Sequence, residues 1–305
     1  MGSYTYPTPQ LDKQLTAEQI HLLLANPQVI ARRIADIASM RFVADYLLAG
    51  RYNATGGGVF YETGEPVFAA DQPQAVAPGA EYPKTILSSG DIASAKTVKW
   101  GIESDVTDEK IARQGIDVVN KALARLTNTV IRHVDTVAWA TIASRVTSTA
   151  AAATQWTAPG AIVETLLTVQ AKRQALGTGL NLSTVVLAPA QYAKVIGMLV
   201  DKGALPREAA NPVLDGTLPV NAYGLDWVTS PYVTGADPWL IDREQLGGMA
   251  DEKLASPGYT SANGTTIEVM SNRHKDDKYE LRARRVTVPV VVEPLAGVKI
   301  TGTGL

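Results

Sequence analysis

Apolar positions change period several times along the chain, and the longest sustained pattern is helical. Val119, Leu123, Leu126, Val130, Val134 and Val137 step by four and three, which lays one apolar stripe along a helix. The pattern predicts one uninterrupted helix from about Val106 to Ser148. A helix of about 43 residues spans roughly 65 Å at 1.5 Å per residue, wider than a small domain. Asp105, Asp108 and Glu109 crowd its expected first turn, where negative charge meets the positive end of the helix dipole. Glu109–Arg113 and Asp117–Lys121 are i,i+4 pairs in the favourable order. Gly115 is its weak spot, costing about 1 kcal/mol against Ala.

The stretch Thr55–Ala95 has no helical period. Gly56-Gly57-Gly58, Gly64, Pro66, Pro73, Pro78, Gly79, Pro83 and Gly90 break it, with β-favouring patches at Val59-Phe60-Tyr61, Val67-Phe68 and Thr85-Ile86-Leu87. This predicts an extended two-stranded arm with a loose tip, hinged at the three glycines. Unstructured loops longer than about 12–15 residues are uncommon in compact domains. An isolated hairpin is barely stable in water, so the arm is expected to lie on something else. A short strand, Thr97–Ile102, connects it to the long helix.

Other segments are shorter. Pro7 and Pro9 keep the start extended. Thr16-Ala17-Glu18-Gln19 reads as a capping box opening a helix Ala17–Ala25. A second helical pattern carries Ile30, Ile34 and Ile37 on one face, with Arg32, Arg33 and Asp36 around it; together these read as a small packing pair. From Ala158 to Asn263 the elements alternate: helices at Ile162–Ala175 and Gln191–Val200, strands at Ser183–Ala188, Leu225–Thr229 and Pro238–Ile241. That is an α+β or α/β module. The tail, Thr265–Gly302, is β-rich, with strands at Thr266–Met270 and Tyr279–Val288 around a turn at Lys275-Asp276-Asp277. Pro289 and Pro294 punctuate the approach to a last strand, Val298–Thr301. No internal repeat is evident.

Composition narrows the class. The 305 residues suggest two domains, and 46% hydrophobic with 19% charged residues is globular. No apolar run of 18 residues exists for a membrane span. The start has neither a basic region nor an apolar one, so no secretory signal is expected, and the sequons at Asn53, Asn181 and Asn263 read as chance. Zero cysteines exclude disulfides, thiolate metal sites and cysteine nucleophiles, in keeping with cytosolic synthesis. The net charge of -2 comes without a basic tail. That argues against a chain that condenses nucleic acid.

The search for chemistry returns no catalytic, cofactor-binding or metal-ligating residue. Walker-type phosphate loops, nucleophile elbows and H-E-x-x-H helices are absent. His133 and Asp135 point apart at i,i+2, so they form no dyad. His21 stands alone on a short helix. His274 beside Asp276 and Asp277 reads as turn solvation, since one histidine supplies too few ligands. In Arg282-Ala283-Arg284-Arg285, strand alternation puts Arg282 and Arg284 on one face and Arg285 on the other. A solvated strand or an inter-subunit salt bridge is the expected role there, ahead of a nucleic-acid site. The five tryptophans are dispersed, which suits packing.

The order of segments is itself distinctive. Lys99-Trp100-Gly101-Ile102-Glu103-Ser104-Asp105-Val106-Thr107-Asp108-Glu109 enters the long helix, and Val185-Val186-Leu187-Ala188-Pro189 precedes another. Ala222-Tyr223-Gly224-Leu225-Asp226-Trp227-Val228-Thr229-Ser230, then Trp239-Leu240-Ile241-Asp242, lead to Arg282–Val286 and Val291-Val292-Glu293-Pro294. Over nearly its whole length the chain resembles the major capsid proteins of tailed double-stranded DNA bacteriophages, with the α+β Hong Kong 97-like fold. The resemblance implies an N-terminal arm (1–52), an extended β-hairpin E-loop (53–98), a peripheral domain (99–158 and 263–292, spine helix about 106–148) and an axial domain (159–262 and 293–305). It implies hexamers and pentamers tiling an icosahedral head, with E-loops and N-arms overlapping neighbouring subunits. Portal, scaffolding and decoration proteins are the implied partners. Double-stranded DNA would fill the interior without sequence-specific binding, and no membrane or cofactor is involved. The short region before the arm suggests a separate scaffolding protein or none, with assembly in the host cytoplasm and residence in the virion. Lys84 and Lys96 lie on or near the arm, and no covalent cross-link is expected from them. An encapsulin-type shell around enzyme cargo is the alternative, and a soluble α/β enzyme the remote one.

Overall fold

The computed structural model describes residues 15–26, 28–32, 42–64, 69, 71–85, 89–203, 222–235, 237–261 and 266–305. The expectations for Pro7, Pro9, Ile34, Ile37, Val67-Phe68 and Ile86-Leu87 fall outside them. The helices are α1 (Ala17–Leu24), α2 (Val43–Leu47), α3 (Asp108–Gln114), α4 (Ile116–Arg145), α5 (Pro159–Gln174) and α6 (Pro189–Asp201). Residues 28–32 are also helical. The strands are β1 (Gly50–Asn53), β2 (Gly58–Thr63), β3 (Asp91–Lys96), β4 (Val98–Thr107), β5 (Thr149–Ala151), β6 (Thr184–Leu187) and β7 (Asp226–Thr229). They continue with β8 (Trp239–Ile241), β9 (Gly247–Asp251), β10 (Thr260–Ser261), β11 (Glu268–His274), β12 (Lys278–Val291) and β13 (Gly297–Thr301).

These elements form two compact units. The described residues of Met1–Arg41, Lys99–His133 and Lys253–Val286 make the first, and those of Phe42–Val98, Val134–Glu252 and Thr287–Leu305 the second. Helix α4 and strand β12 each run from one unit into the other.

In the first unit, α1 starts with the expected capping box. The Gln19 N–H donates to Thr16 Oγ1 at 3.4 Å, and the Thr16 N–H donates to Gln19 Oε1 at 3.1 Å. Ile20 and Leu24 are fully buried, and the Ser271 hydroxyl donates to the Leu24 carbonyl at 2.8 Å, satisfying a helix-end acceptor. Strands β11 and β12 form the expected antiparallel hairpin, closed by Asp277 at φ 53°.

The long helix is not continuous. Val106 and Thr107 finish strand β4, α3 occupies one to two turns, and Gly115 breaks the path at φ 62°, ψ -148°. Helix α4 then runs for 30 residues, about 45 Å. The apolar stripe survives, with Val119, Leu123, Leu126 and Val130 buried, because a single turn break leaves the later phase intact. Gly115 occupies a backbone region open essentially to glycine alone. Gly115→Ala is therefore expected to cost roughly 1–3 kcal/mol, read as a lowered urea midpoint.

The second unit holds a sheet of order β5-β13-β8-β6-β7. Strand β6 is interior, parallel to β7 and antiparallel to β8, and all four of its residues are buried. A strand covered on both faces reads as a continuous apolar run, as Thr184-Val185-Val186-Leu187 does. Ile162, Leu166 and Val169 of α5 pack with Val195 and Leu199 of α6 against Val185, Leu187 and Leu240. Trp139 of α4 meets Trp239 edge to face at 5.4 Å. Pro159 and Pro189 each sit at the first turn of their helices, where no N–H is needed.

A polar tie fixes α2. That helix has no capping side chain of its own, and Asp135 of α4 supplies one. The buried carboxylate accepts from the Ala44 N–H at 2.9 Å and the Val43 N–H at 3.4 Å. Asp135 thus acts apart from His133, as the i,i+2 spacing requires. Pro289 does not end its strand. Residues Thr287–Val291 of β12 continue past it and pair antiparallel with β9.

Candidate functional site

The arm is an antiparallel pair, β2 with β3, in the register Phe60↔Ser94 and Glu62↔Ile92. Its two faces differ because side chains alternate along a strand. Val59, Tyr61 and Ala95 turn inward and pack with Tyr52 against a core of Ala54, Ala250 and Val290. Phe60 and Ile92 turn outward, 82% and 81% exposed. They are diagonal neighbours across the two strands, close enough for an aromatic ring to touch its partner. Single exposed apolar side chains are ordinary on a protein surface. Here two of them share one face of a two-stranded arm whose opposite face alone is packed.

In the first unit the charged residues form a ladder. Glu103 and Asp105 are two apart on β4 and share a face. Glu103 accepts from Arg282 Nε at 2.7 Å, and Asp105 accepts from Lys278 Nζ at 2.7 Å. The Arg273 guanidinium donates to both oxygens of Asp108, at 2.5 and 2.6 Å. Asp105 therefore stands in a strand and holds β4 to β12. It is not part of a helix first turn, which keeps only Asp108 and Glu109.

The arginine cluster is also reassigned. Arg282 pairs with Glu103 and Glu280. Arg284 is buried, donates from Nε to Glu268 at 2.7 Å and stacks 3.5 Å from the Tyr259 ring centre. Arg285 is fully buried. Arg284 and Arg285 are buried, so the solvated-strand reading fails for them, while Arg282 keeps a partly exposed side chain and pairs with carboxylates of its own chain. Leaving either member of the buried Arg284–Glu268 pair alone would strand a charge in the interior.

The bidentate Arg273 bond holds the Asp108 carboxyl below the usual carboxylate range. A depressed carboxyl contributes stability above its unfolded pKa, about 3.9, and loses it as pH falls through the folded value. Asp108→Asn is therefore expected to lower the melting temperature at pH 7. The gap to wild type should close as both proteins are acidified below about pH 3, followed by calorimetry across that range.

Histidines are placed apart. His21 lies 3.3 Å from the Tyr279 hydroxyl, the His133 ring meets Trp100 at 4.2 Å between ring centres with a 60° tilt, and His274 sits 2.9 Å from Asp276 at the hairpin turn. Among the described residues no group of three or more metal-ligating side chains is brought together. No described helix is long and apolar enough to cross a membrane.

A family model described as "Phage capsid protein" matches residues 91–300. Among solved structures, the capsid of cyanophage P-SCSP1u superposes with a TM-score of 0.57 at 11% identity, covering 82% of this chain and 84% of that one. A chain of Microbacterium phage Oxtober96 gives 0.56 at 12% identity, covering 86% and 91%. A phage-related protein from Bordetella bronchiseptica gives 0.54 at 15% identity, covering 91% and 97%. At such identities the likeness speaks for the fold. No curated protein matches the chain. The chain has the Hong Kong 97-like α+β fold and belongs to the phage capsid protein family, as a structural protein of a phage shell.

Proposed function

We propose that the chain is the major capsid protein of a tailed phage. It self-assembles as hexamers and pentamers into an icosahedral head that encloses double-stranded DNA. On this reading residues 1–52 are the N-terminal arm and 53–98 the E-loop. Residues 99–158 with 263–292 form the peripheral domain, and 159–262 with 293–305 the axial domain. The role is structural, without a catalytic centre. Portal, scaffolding and decoration proteins are the expected companions, in the host cytoplasm during assembly and in the virion afterwards. The near-neutral charge, -2, suits a shell filled by a packaging motor better than one filled by attraction to phosphates.

The observation that carries the reading is the arm. Phe60 and Ile92 project from it, 82% and 81% exposed, and a neighbouring subunit would bury them. Burying such a side chain fully contributes about 1.5–3 kcal/mol, repeated at every subunit of a shell.

Negative-stain electron microscopy of the purified chain, alone and co-expressed with its neighbouring genes, tests this. Closed shells or free hexamers and pentamers are expected. A monodisperse monomer under both conditions would overturn the proposal. Shells filled with a cargo enzyme in place of DNA would move the assignment to an encapsulin-type compartment.

A further inference from the structure

The root of the arm is built around one carboxylate. Strand β1 pairs in parallel with β9 as far as Asn53↔Asp251, and the Ala54 N–H donates to the Asp251 carbonyl at 3.0 Å. Glu252 is the next residue of that second strand's path. One of its oxygens accepts the Gly57 N–H at 3.1 Å, and the other accepts the Thr97 hydroxyl at 2.7 Å. Gly57 precedes β2 and Thr97 follows β3, so the two contacts grip opposite sides of the arm's root. The root is closed between them by the Thr97 N–H donating to the Gly57 carbonyl at 3.0 Å.

The backbone there is suited to pivoting. Gly56 and Gly57 lie at φ 66° and 86°, and a Cβ on either would meet nothing within 4 Å. The turn there is held by hydrogen bonds alone, among them the Thr55 N–H donating to the Gly58 carbonyl at 3.2 Å. Beyond the root, only Val59, Tyr61 and Ala95 of the two strands join the small cluster beneath. A two-point hold by a carboxylate restricts rotation where a single contact would not. Hydrogen bonds to a charged acceptor are roughly twice as strong as neutral ones. Among the described residues no cation pairs with Glu252, so its charge is spent on the arm alone.

We infer that Glu252 is the positioning residue of the arm: its carboxylate clasps both sides of the root and sets the direction in which the Phe60–Ile92 face is presented to the next subunit. The part played in assembly rests on the shell reading above. The clasp itself does not.

Amide hydrogen exchange on the unassembled full chain tests the clasp. Glu252→Ala is expected to speed exchange at Gly57, Thr97 and the amides of β2 and β3 by about tenfold. Amides of β6, in the other sheet of the same unit, should be unmoved. Thr97→Val, which keeps the shape and removes the hydroxyl, should speed the same amides. Thr97→Ser, which restores a hydroxyl, should return them to wild type. Shell yield by negative stain should fall in the Ala and Val variants and recover in the Ser variant. Unchanged exchange at the root in both Glu252→Ala and Thr97→Val would overturn the clasp. Faster exchange with wild-type shell yield would overturn its role in presenting the arm. If Glu252→Ala loosens β6 as well, the comparison of Thr97→Val with Thr97→Ser decides. A wild-type chain that never forms shells would sink the shell reading, while the exchange data would still decide the clasp.

Discussion

Phe60→Asp is expected to abolish shell formation while leaving the isolated chain's stability within about 0.5 kcal/mol of wild type. Phe60 is 82% exposed, so truncating it opens no cavity and strands no partner. In a shell, the same position would carry a charge into a buried contact. An aromatic anchor at an interface is worth roughly 2 kcal/mol or more, and an unpaired carboxylate adds a desolvation cost. Both penalties recur at each copy, so the effect on closed shells is far larger than on any one contact. Sedimentation and negative stain read assembly, and calorimetry reads the subunit. Ile92→Asp should act the same way, because Ile92 is the diagonal neighbour on that face. Tyr61→Asp is the contrasting case. Its ring packs inward with the Ala54, Ala250 and Val290 core, so it should lower the melting temperature first. Wild-type shells from the Phe60→Asp, Ile92→Asp double variant would show that this face meets no neighbour.

Gly248→Ala is the second large effect, and it falls on the fold itself. In the parallel pairing of β1 with β9, Gly50 stands opposite Gly248. A Cβ on Gly248 would lie 2.7 Å from the Gly50 Cα and run into its carbonyl group. A Cβ on Gly50 would sit 2.8 Å from the Gly247 carbonyl oxygen. The obstacles are backbone, so no side chain can swing aside, and one strand must move. Displacing β1 also disturbs Ala54 and Ala250 beneath the arm. A cost of about 3 kcal/mol or more is expected, seen as a lowered urea midpoint at unchanged slope. Gly160→Ala serves as the control. A Cβ there meets nothing within 4 Å, inside helix α5, so it should be neutral or stabilising by up to about 1 kcal/mol. An unchanged midpoint for Gly248→Ala would mean that β1 does not pack against β9 as described.

The contrast between Gly115 and Gly248 shows what local pattern can and cannot reveal. The stripe from Val119 to Val134 announces α4 because burial at a 3.6-residue period is a repeated signal. A single glycine costs only about 1 kcal/mol in a helix, so Gly115 reads as a weak spot and not as a break. Strand β9, Gly247-Gly248-Met249-Ala250-Asp251, carries no β-branched residue and was not expected as a strand. Its conformation comes from pairing with β1 on one side and β12 on the other. The charge ladder was equally hidden. Asp108 and Arg273 lie 165 residues apart, and a surplus of partners of each sign leaves the pairing open until the strands are in register.

By itself the sequence determined the order and kind of elements: a capped short helix, a hinged two-stranded arm, a long helix, an α/β module and a closing β-hairpin. It also determined the absence of cysteine chemistry and of a Walker-type sequence motif. Those follow from near-neighbour physics, in which residues a few positions apart decide caps, turns and faces. Only the tertiary structure decided which face of the arm is packed, where the long helix breaks, and that Arg284 and Arg285 are buried. It alone brought Glu252 to the arm's root. Each of these depends on residues that meet across tens to hundreds of positions, and such meetings are fixed by packing and strand register, which no local window contains.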